Sequence, residues 1–268
     1  ACLKLSALET LNDFEMVKQL RVALLDPAAP NGSIETLVHA SIPYKFVDHT
    51  HADAVVVLTN SPQGKAKLQQ AFADFLILPY VMPGFDLAKQ FDNAVKSAQL
   101  DGKKGVILSG HGIFTFADDA KESYDNMISA VTKAEELIAE LRTSDRAISV
   151  ATPVNHLALA KIRKKVSELR GTAVTVKLNN NDEAAGFAHR SDVAEIASRG
   201  TLTPDHSIRT KRTPAVINGK ASEQLDAYAE DYRKYFAENS SEEHTILDQA
   251  PRWAVWKEQG ILSFGATR

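Results

Sequence analysis

Two histidines separated by one residue, His49 and His51, are the first feature of the sequence that could do chemistry. We predict an extended segment over residues 44–51, and in extended backbone residues i and i+2 point to the same face. Both imidazoles can therefore aim at one ion, and neutral imidazole suits zinc and similar transition metals. Such a pair on its own would fit two surface histidines equally well, so a metal site needs further ligands.

A third histidine, His111, follows an apolar run at residues 106–108 that predicts a short buried strand. Gly110 and Gly112 flank it and permit tight backbone geometry around a side chain presented at a strand end. Three histidines and one open position are the ligand arrangement of a catalytic zinc site, whereas structural zinc sites are closed. The alternative is a histidine that only caps a loop.

A carboxylate, Glu35, lies fourteen positions before His49, just after Ser33, which is a suitable N-cap for a helix. Beside a metal, a carboxylate can act as general acid or base, or it can occupy the open position until a substrate arrives. Spacing alone favours the alternative of a solvated glutamate on a helix. His39, one helical turn beyond Glu35, could orient its side chain.

The elements that must position these side chains alternate between helices and strands, which favours an α/β layered fold. The longest is an amphipathic helix predicted from about residue 118 to residue 142, with Tyr124 on its apolar stripe. The character of the sequence changes near residues 143–153, and the sequence shows no internal repeat. We expect a metal-binding domain over residues 1–147 and a second, smaller α/β domain over residues 148–268.

The bulk composition excludes several classes of protein and site. A net charge of -3 over 268 residues provides no basic field for nucleic acid or an anionic membrane, and no apolar run could span a bilayer. Cys2 is the sole cysteine, which excludes an intrachain disulfide and a Cys-rich zinc site and fits a cytoplasmic location. Residues 1–5 alternate like the interior of a strand, so we expect further sequence upstream of residue 1.

The order of four motifs resembles the class II aldolase/adducin family over about residues 30 to 140. The resemblance implies a layered α/β/α fold, a metal-dependent aldolase that is a carbon–carbon lyase, and a homo-oligomer. It implies zinc on the three matching histidines, Glu35 as catalytic acid/base and Ser33 as a contact of the substrate phosphate. A phosphate-binding loop that precedes these motifs in the family has no match here. The motifs are Ser33/Glu35, His49/His51/Ala52, Pro79/Tyr80/Gly84 and His111/Gly112.

Longer matches resemble the aldolase part of bifunctional rhamnulose-1-phosphate aldolase/alcohol dehydrogenases. This implies rhamnose catabolism, with cleavage of a ketose 1-phosphate to dihydroxyacetone phosphate and an aldehyde such as lactaldehyde. It also implies a dehydrogenase domain in a longer parent chain, although the sequence contains no Gly-x-x-x-Gly-x-Gly loop after a strand. The matches are residues 46–54, 79–85, 111–116, 203–206 and 208–211.

Two other functions are compatible with the same residues. One is a sugar-phosphate 4-epimerase on the same metal scaffold, and the other is a non-catalytic adducin-like interaction module. Tyr80 and Tyr124 are candidate proton donors, although Tyr124 is expected in the core. The sequence also groups three cationic side chains after a proline turn, which could bind an anion or lie on the surface: His206, Arg209 and Lys211.

Overall fold

The computed structural model describes residues 2–98, 100–141, 153–242 and 244–267. The chain divides into two compact units, residues 1–142 and residues 143–268, which we call the first unit and the second unit. The predicted boundary between residues 147 and 148 lies outside the described residues. Among the described residues, no helix combines the length and apolarity that crossing a membrane requires.

The first unit is built on a four-stranded mixed sheet with the strand order β1-β4-β3-β2. β4 runs antiparallel to both β1 and β3, while β2 and β3 are parallel. This order brings the end of β1 beside the short turn between β3 and β4. The strands are β1 (Phe46–Thr50), β2 (Phe75–Leu78), β3 (Gly105–Leu108) and β4 (Gly112–Ala117).

Helices cover both faces of this sheet. The central strands β3 and β4 are therefore buried along their whole length, with apolar side chains on both sides. One face, with Val106, Leu108, Phe114 and Phe116, packs with α1, α2, α3 and α6. The opposite face packs with α4, α5 and α7. The helices are α1 (Cys2–Ser6), α2 (Asp13–Val22), α3 (Thr36–Ser41), α4 (Asp53–Asn60), α5 (Pro62–Ala71), α6 (Phe85–Ala98) and α7 (Ala120–Leu141).

Three local predictions for the first unit were wrong. Residues 2–6 form α1 rather than a strand. Ser33 does not cap a helix, since α3 begins at Thr36 and the hydroxyl of Ser33 instead accepts the backbone N–H of Glu35 at 3.1 Å. Tyr124 is 58% exposed on α7 rather than packed in the core.

The second unit is a smaller α/β unit, as predicted, with a four-stranded sheet of its own. Residues 204–206, predicted as a turn, begin a short helix with Pro204 in its first turn. The C-terminal hairpin was not predicted. The elements are α8 (His156–Arg170), β5 (Thr175–Asn179), α9 (Asp182–His189), α10 (Val193–Ala197), α11 (Pro204–Thr210), β6 (Ala215–Ile217), α12 (Ala221–Asn239), β7 (Trp253–Trp256) and β8 (Gly260–Gly265).

The two sheets share one topology, although the sequence shows no repeat. The second sheet has the order β5-β8-β7-β6, in which β8 is antiparallel to β5 and β7 while β6 and β7 are parallel. Each strand of the first sheet therefore has a counterpart in the second, with the same neighbours and the same pairing directions. In both units the last two strands form a tight hairpin.

Replacing Phe91 with alanine tests the packing beneath the first sheet. Phe91 is fully buried on α6, and its ring centroid lies 5.6 Å from that of Phe114 on β4. Removing the ring leaves a cavity, so we expect a loss of about 3–5 kcal/mol in the free energy of unfolding. Hydrogen exchange of the peptides that contain β3 and β4 measures the loss.

Phe46→Ala is the matched control, because Phe46 is 42% exposed at the start of β1. We expect it to cost much less than Phe91→Ala. Equal losses for the two variants would contradict the packing described for α6.

Candidate metal centre

Four chemically active side chains meet at one edge of the first sheet. His49 lies on β1, His51 lies in the link from β1 to α4, and His111 lies in the turn between β3 and β4. Glu35 is the residue immediately before α3. Because Thr50 pairs with Ile113 in the β1–β4 register, the end of β1 lies next to the turn that carries His111.

The ligand atoms of these four residues all lie within 4.8 Å of one another. The Oε1 atom of Glu35 lies 2.5 Å from Nε2 of His111, 3.1 Å from Nε2 of His49 and 3.4 Å from Nε2 of His51. The Nε2 atoms of His49 and His51 are 2.9 Å apart, and those of His51 and His111 are 3.2 Å apart. The sequence prediction that these three histidines and Glu35 converge is confirmed.

The ring of His49 is oriented by two contacts that favour one tautomer. Its Nδ1 atom donates to the backbone carbonyl of Ile113 at 2.9 Å, and the ring stacks on Phe114 with centroids 3.9 Å apart. With the proton on Nδ1, the Nε2 atom presents a lone pair towards the cluster. This backbone partner is the type that commonly orients a metal-binding histidine.

The donor set fits a divalent transition metal. Lone pairs on two imidazole nitrogens at 2.9 Å repel each other unless a proton or a cation lies between them. Three imidazole nitrogens and one carboxylate oxygen are ligands typical of zinc in proteins. His49, His51 and His111 would hold the ion, with Glu35 beside it.

Burial and hydrogen bonding set the electrostatics of the cluster. Burial alone would raise the pKa of Glu35, but hydrogen bonds from His111, His49 and His51 outweigh it and hold this pKa well below its ordinary value. His111 is only 1% exposed, and its Nδ1 atom has no hydrogen-bond partner among the described residues. A buried nitrogen without a hydrogen-bond partner lowers the stability of the folded protein. Such unpaired polar atoms are often found at functional sites.

His39, predicted to orient Glu35, lies beside the cluster but makes a different contact. Its ring packs edge-on against His49 and Phe114, with centroid distances of 6.2 Å and 5.3 Å. Burial first, and then the neighbouring His49, lower the pKa of His39. The structure shows no side-chain hydrogen bond from His39 to Glu35 among the described residues.

The glycines around His111 are required by close packing and by backbone conformation. A Cβ atom on Gly112 would lie 2.4 Å from the carbonyl oxygen of Thr50 and 3.0 Å from Cδ2 of His51. Gly110 has a φ of +69°, which is unfavourable for other residues. A Cβ atom on Gly110 would also lie 3.2 Å from the ring of Tyr80, which places that tyrosine against this turn.

A buried hydroxyl on α7 fixes the strand that carries His49. Ser123 is fully buried, and its Oγ atom donates to the carboxylate of Asp48 at 2.6 Å. Its backbone carbonyl accepts the hydroxyl of Thr115 on β4 at 2.9 Å. This contact could not be predicted from the sequence, because a serine in a predicted amphipathic helix gives no signal of its partner on a distant strand.

The remaining predicted site residues lie at different distances from the cluster. Ser33 is exposed, and its hydroxyl lies 3.4 Å from Oε2 of Glu35, whereas the three histidines contact Oε1. Tyr80 is 59% exposed next to the His111 turn. Tyr124 is exposed on α7, and no described contact joins it to the four-residue cluster.

Two family models match the chain, one for each compact unit. "Class II Aldolase and Adducin N-terminal domain" matches residues 8–138. The first unit belongs to the class II aldolase/adducin family. "Aldolase class II, second domain" matches residues 153–268, which lie in the second unit. The predicted family is thereby confirmed.

The individual relatives are partial matches. The chain is 27% identical over 281 residues to the "uncharacterized oxidoreductase YuxG" of Bacillus subtilis (strain 168), covering 96% of this chain and 40% of YuxG. The chain thus spans two fifths of the length of that curated relative. It is also similar to the structure of the N-terminal class II aldolase domain of a conserved protein from Thermoplasma acidophilum. That match has 38% identity and a TM-score of 0.47, and it covers 51% of this chain and 62% of the other.

Replacing a single histidine should remove the metal. In His51→Ala we expect bound zinc to fall from about one ion per chain to a small fraction of that, because a catalytic site has only three protein ligands to begin with. Mass spectrometry of the purified protein after dialysis measures the metal. His39→Phe is the matched control, since it keeps an aromatic ring against His49 and should retain the metal. Full zinc content in His51→Ala would refute the assignment of this ligand.

Adding one methyl group at Gly112 should disturb the centre without removing a ligand. The new Cβ atom would collide with the Thr50 carbonyl, which the strand register holds in place, and would push on His51. We expect zinc affinity in Gly112→Ala to fall at least about tenfold, as for loss of an orienting contact. A competitive chelator titration measures this affinity.

Gly102→Ala is the control for general destabilisation. Gly102, unlike Gly112, has a positive φ, so an added methyl group strains its backbone, but no atom lies within 4 Å of its added Cβ. We expect a small loss of stability and unchanged zinc affinity. A parallel loss of affinity in both variants would show that general destabilisation, not displacement of His51, is responsible.

Proposed function

We propose that the chain is a zinc-dependent aldolase that cleaves a ketose 1-phosphate to dihydroxyacetone phosphate and an aldehyde. The observation that supports this most directly is the convergence of three Nε2 atoms on one carboxylate oxygen of Glu35. Membership of the class II aldolase/adducin family supports the same reaction class. A rhamnulose 1-phosphate-like substrate, with lactaldehyde as the aldehyde, is the specific form that we propose.

The reaction breaks one carbon–carbon bond and moves one proton. The C4 hydroxyl loses its proton, the C3–C4 bond breaks, and the electron pair passes to C3 as C4 becomes the aldehyde carbonyl. A divalent cation held by the three histidines would supply Lewis-acid stabilisation of the negative charge that develops on the ketose. Delivery of a proton to C3 completes dihydroxyacetone phosphate, so the protein must provide an acid or base close to the cluster.

We assign this proton transfer to Glu35. Its carboxylate is the acidic member of the cluster, and its side chain is only 12% exposed. A largely buried carboxylate within hydrogen-bond distance of the histidines is well placed to exchange a proton with a substrate carbon bound there. Ser33, with its hydroxyl 3.4 Å from Glu35, is proposed as a contact of the substrate phosphate.

The buried cluster also helps to distinguish an aldolase from an adducin-like interaction module and from a sugar-phosphate 4-epimerase. An interaction module of the adducin type has no use for three convergent imidazoles, whose desolvation is costly. A 4-epimerase would use the same residues but would retain the aldehyde and re-form the bond. A dehydrogenase domain in a longer parent chain and assembly into a homo-oligomer are further parts of the proposal. They agree with the length of YuxG and with the resemblance of the motifs.

Glu35→Gln should separate proton transfer from metal binding. The amide keeps the size of the side chain but cannot exchange a proton at neutral pH, so we expect zinc to remain. Exchange of the C3 proton of dihydroxyacetone phosphate with deuterated solvent should slow at least about 100-fold. Nuclear magnetic resonance of the substrate measures the exchange. Glu15→Gln, on the exposed surface of α2, is the matched control and should exchange at the wild-type rate.

The products distinguish the three functions. With rhamnulose 1-phosphate we expect dihydroxyacetone phosphate and lactaldehyde in equal amounts. A C4 epimer without free aldehyde would favour the epimerase, and no turnover by zinc-loaded protein would favour the interaction module. Exchange at the wild-type rate in zinc-loaded Glu35→Gln would overturn the role of Glu35.

A further inference from the structure

A cavity of about 660 Å³ in the second unit collects three arginines and one histidine from three separate segments. Arg170 is the last residue of α8, His206 and Arg209 lie on α11, and Arg252 immediately precedes β7. No carboxylate side chain is among the described residues that line this cavity. Cations brought together from distant positions in the sequence raise the local positive potential, which favours an anionic ligand.

Two of these four basic side chains are held in place by neighbours. Arg252 forms two hydrogen bonds with the carboxylate of Asp248, at 2.7 Å and 2.6 Å. The Nδ1 atom of His206 lies 2.7 Å from the hydroxyl of Thr203, which is itself buried. Fixed donors lose less conformational entropy when a ligand binds, so the cavity is partly preorganised.

Lys211 follows His206 and Arg209 in the sequence but does not line this cavity. It is 5% exposed, its ammonium group donates to the backbone carbonyl of Asp248, and it lies 3.7 Å from the centroid of the Tyr232 ring. Burial first, and then the charges of Arg252 and Arg170, lower the pKa of Lys211 to about 8, against the opposing effect of Asp248. The anion-binding group predicted from sequence is thus divided, and Arg170 and Arg252 take the place of Lys211.

The rest of the lining is suited to an organic ligand. Trp253 and Ile261 contribute apolar surface, while Thr201 and Ser263 contribute hydroxyl groups. Guanidinium groups match the geometry of phosphate oxygens, and several cations together suit a group that carries nearly two negative charges.

We propose that this cavity binds a small molecule with a phosphate monoester group, at a site separate from the metal centre. The cationic side chains hold the phosphate, and the apolar lining receives the carbon skeleton. This second-unit site does not depend on the aldolase reaction or on metal in the first unit.

Tryptophan fluorescence can test this site selectively. The chain has two tryptophans, and both lie in the second unit: Trp253 in the cavity lining and Trp256 on the same strand. We expect glycerol 3-phosphate and inorganic phosphate to give saturable changes in the presence of a chelator that removes zinc. In Arg170→Gln and in Arg209→Gln the dissociation constant should rise at least about tenfold, since each loses a charge-assisted hydrogen bond.

Lys234→Gln is the matched control, because it removes a positive charge from α12, where the cavity has no lining residue. It should bind both probes as the wild type does. Titration calorimetry on the wild type and the three variants detects a ligand that binds without changing the fluorescence. The proposal is overturned if neither method detects saturable binding, or if the two arginine variants bind like Lys234→Gln.

A second inference rests on a different observation, the common topology of the two sheets. Their hairpins agree in detail: Leu108 pairs with Gly112 as Trp256 pairs with Gly260. In each turn the second residue has a positive φ, +69° at Gly110 and +64° at Glu258.

The hydrogen bonds that anchor the two turns also correspond. Ser109 N–H donates to the last residue of β2 at 3.0 Å, as Lys257 N–H donates to the last residue of β6 at 2.8 Å. Gly110 N–H donates to the side chain of Thr59 on α4, and Glu258 N–H donates to the backbone carbonyl of Ala188 on α9. Thr59 and Ala188 are each the seventh residue of their helix.

The same close approach is found beside both turns. A Cβ atom on Gly112 would lie 2.4 Å from the carbonyl oxygen of Thr50, and one on Gly260 would lie 2.3 Å from that of Asn179. Thr50 and Asn179 are the last residues of β1 and β5. Backbone agreement at this level, at positions with different side chains, favours a common origin over chance similarity of two small sheets.

We infer that the second unit is a repeat of the first in which the metal ligands have been replaced. The strand registers place Leu178 at the position of His49, Asn180 at that of His51 and Gln259 at that of His111. Gln259 retains a buried side-chain oxygen that has no hydrogen-bond partner among the described residues, as His111 retains such a nitrogen. The part of this inference that concerns lost metal ligands rests on the proposed metal site of the first unit.

Restoring the histidines tests the correspondence. The variant Leu178→His/Asn180→His/Gln259→His is made in a His51→Ala background, so that binding at the first centre cannot contribute. We expect this variant to gain about one zinc ion per chain over its His51→Ala parent. The control Lys177→His/Asn179→His/Gln259→His shifts the strand positions by one residue, which turns those side chains to the opposite face. It should gain none.

A folded graft that binds no more zinc than the register-shifted control would overturn the repeat. Tryptophan fluorescence reports whether the second unit is folded. If the change at the half-buried Leu178 prevents folding, a double variant without it provides the test. Asn180→His/Gln259→His, which alters an exposed and a half-buried residue, should bind nickel more tightly than Asn179→His/Gln259→His. Failure of zinc binding in the wild type would affect the proposed function alone, because the graft is measured against its own parent.

Discussion

The mutual approach of three imidazole nitrogens and one carboxylate oxygen is the interaction on which the first unit depends. Four groups that all carry lone pairs lie within 4.8 Å of one another, and His111 is almost completely buried. Grouping them without a proton or a cation between them costs free energy. The surrounding fold must therefore supply enough packing energy to hold the cluster together before any ligand binds.

Four features of the first unit provide that support. The β1–β4 register places the end of one strand against the turn that presents His111. Gly112 allows the two backbones to approach closely, and the buried bond between Ser123 and Asp48 ties α7 to β1. Phe114 lies beneath the ring of His49 and joins the centre directly to the core formed with α6.

The second unit shows how one topology can carry different chemistry. Its hairpin keeps the strand order, the positive φ and the close glycine contact, but its side chains at the three histidine positions are neutral and do not include an imidazole. Its cationic cavity is built instead from helix ends and from the segment before β7. Backbone geometry is thus preserved in both units, while the ligand specificity proposed for each depends on a few side chains.

The sequence by itself determined the alternation of helices and strands, the two units and the four residues of the cluster, because local periodicity and motif order record these directly. It did not reveal that Ser123 holds Asp48, that Lys211 turns away from Arg209, or that the two sheets share a topology. Those features depend on contacts between residues far apart in the chain, and a one-dimensional pattern carries no information on such pairings. Only the tertiary structure determined which serine contacts Asp48 and which basic side chains line one cavity, because burial and strand register fix the neighbours of each residue.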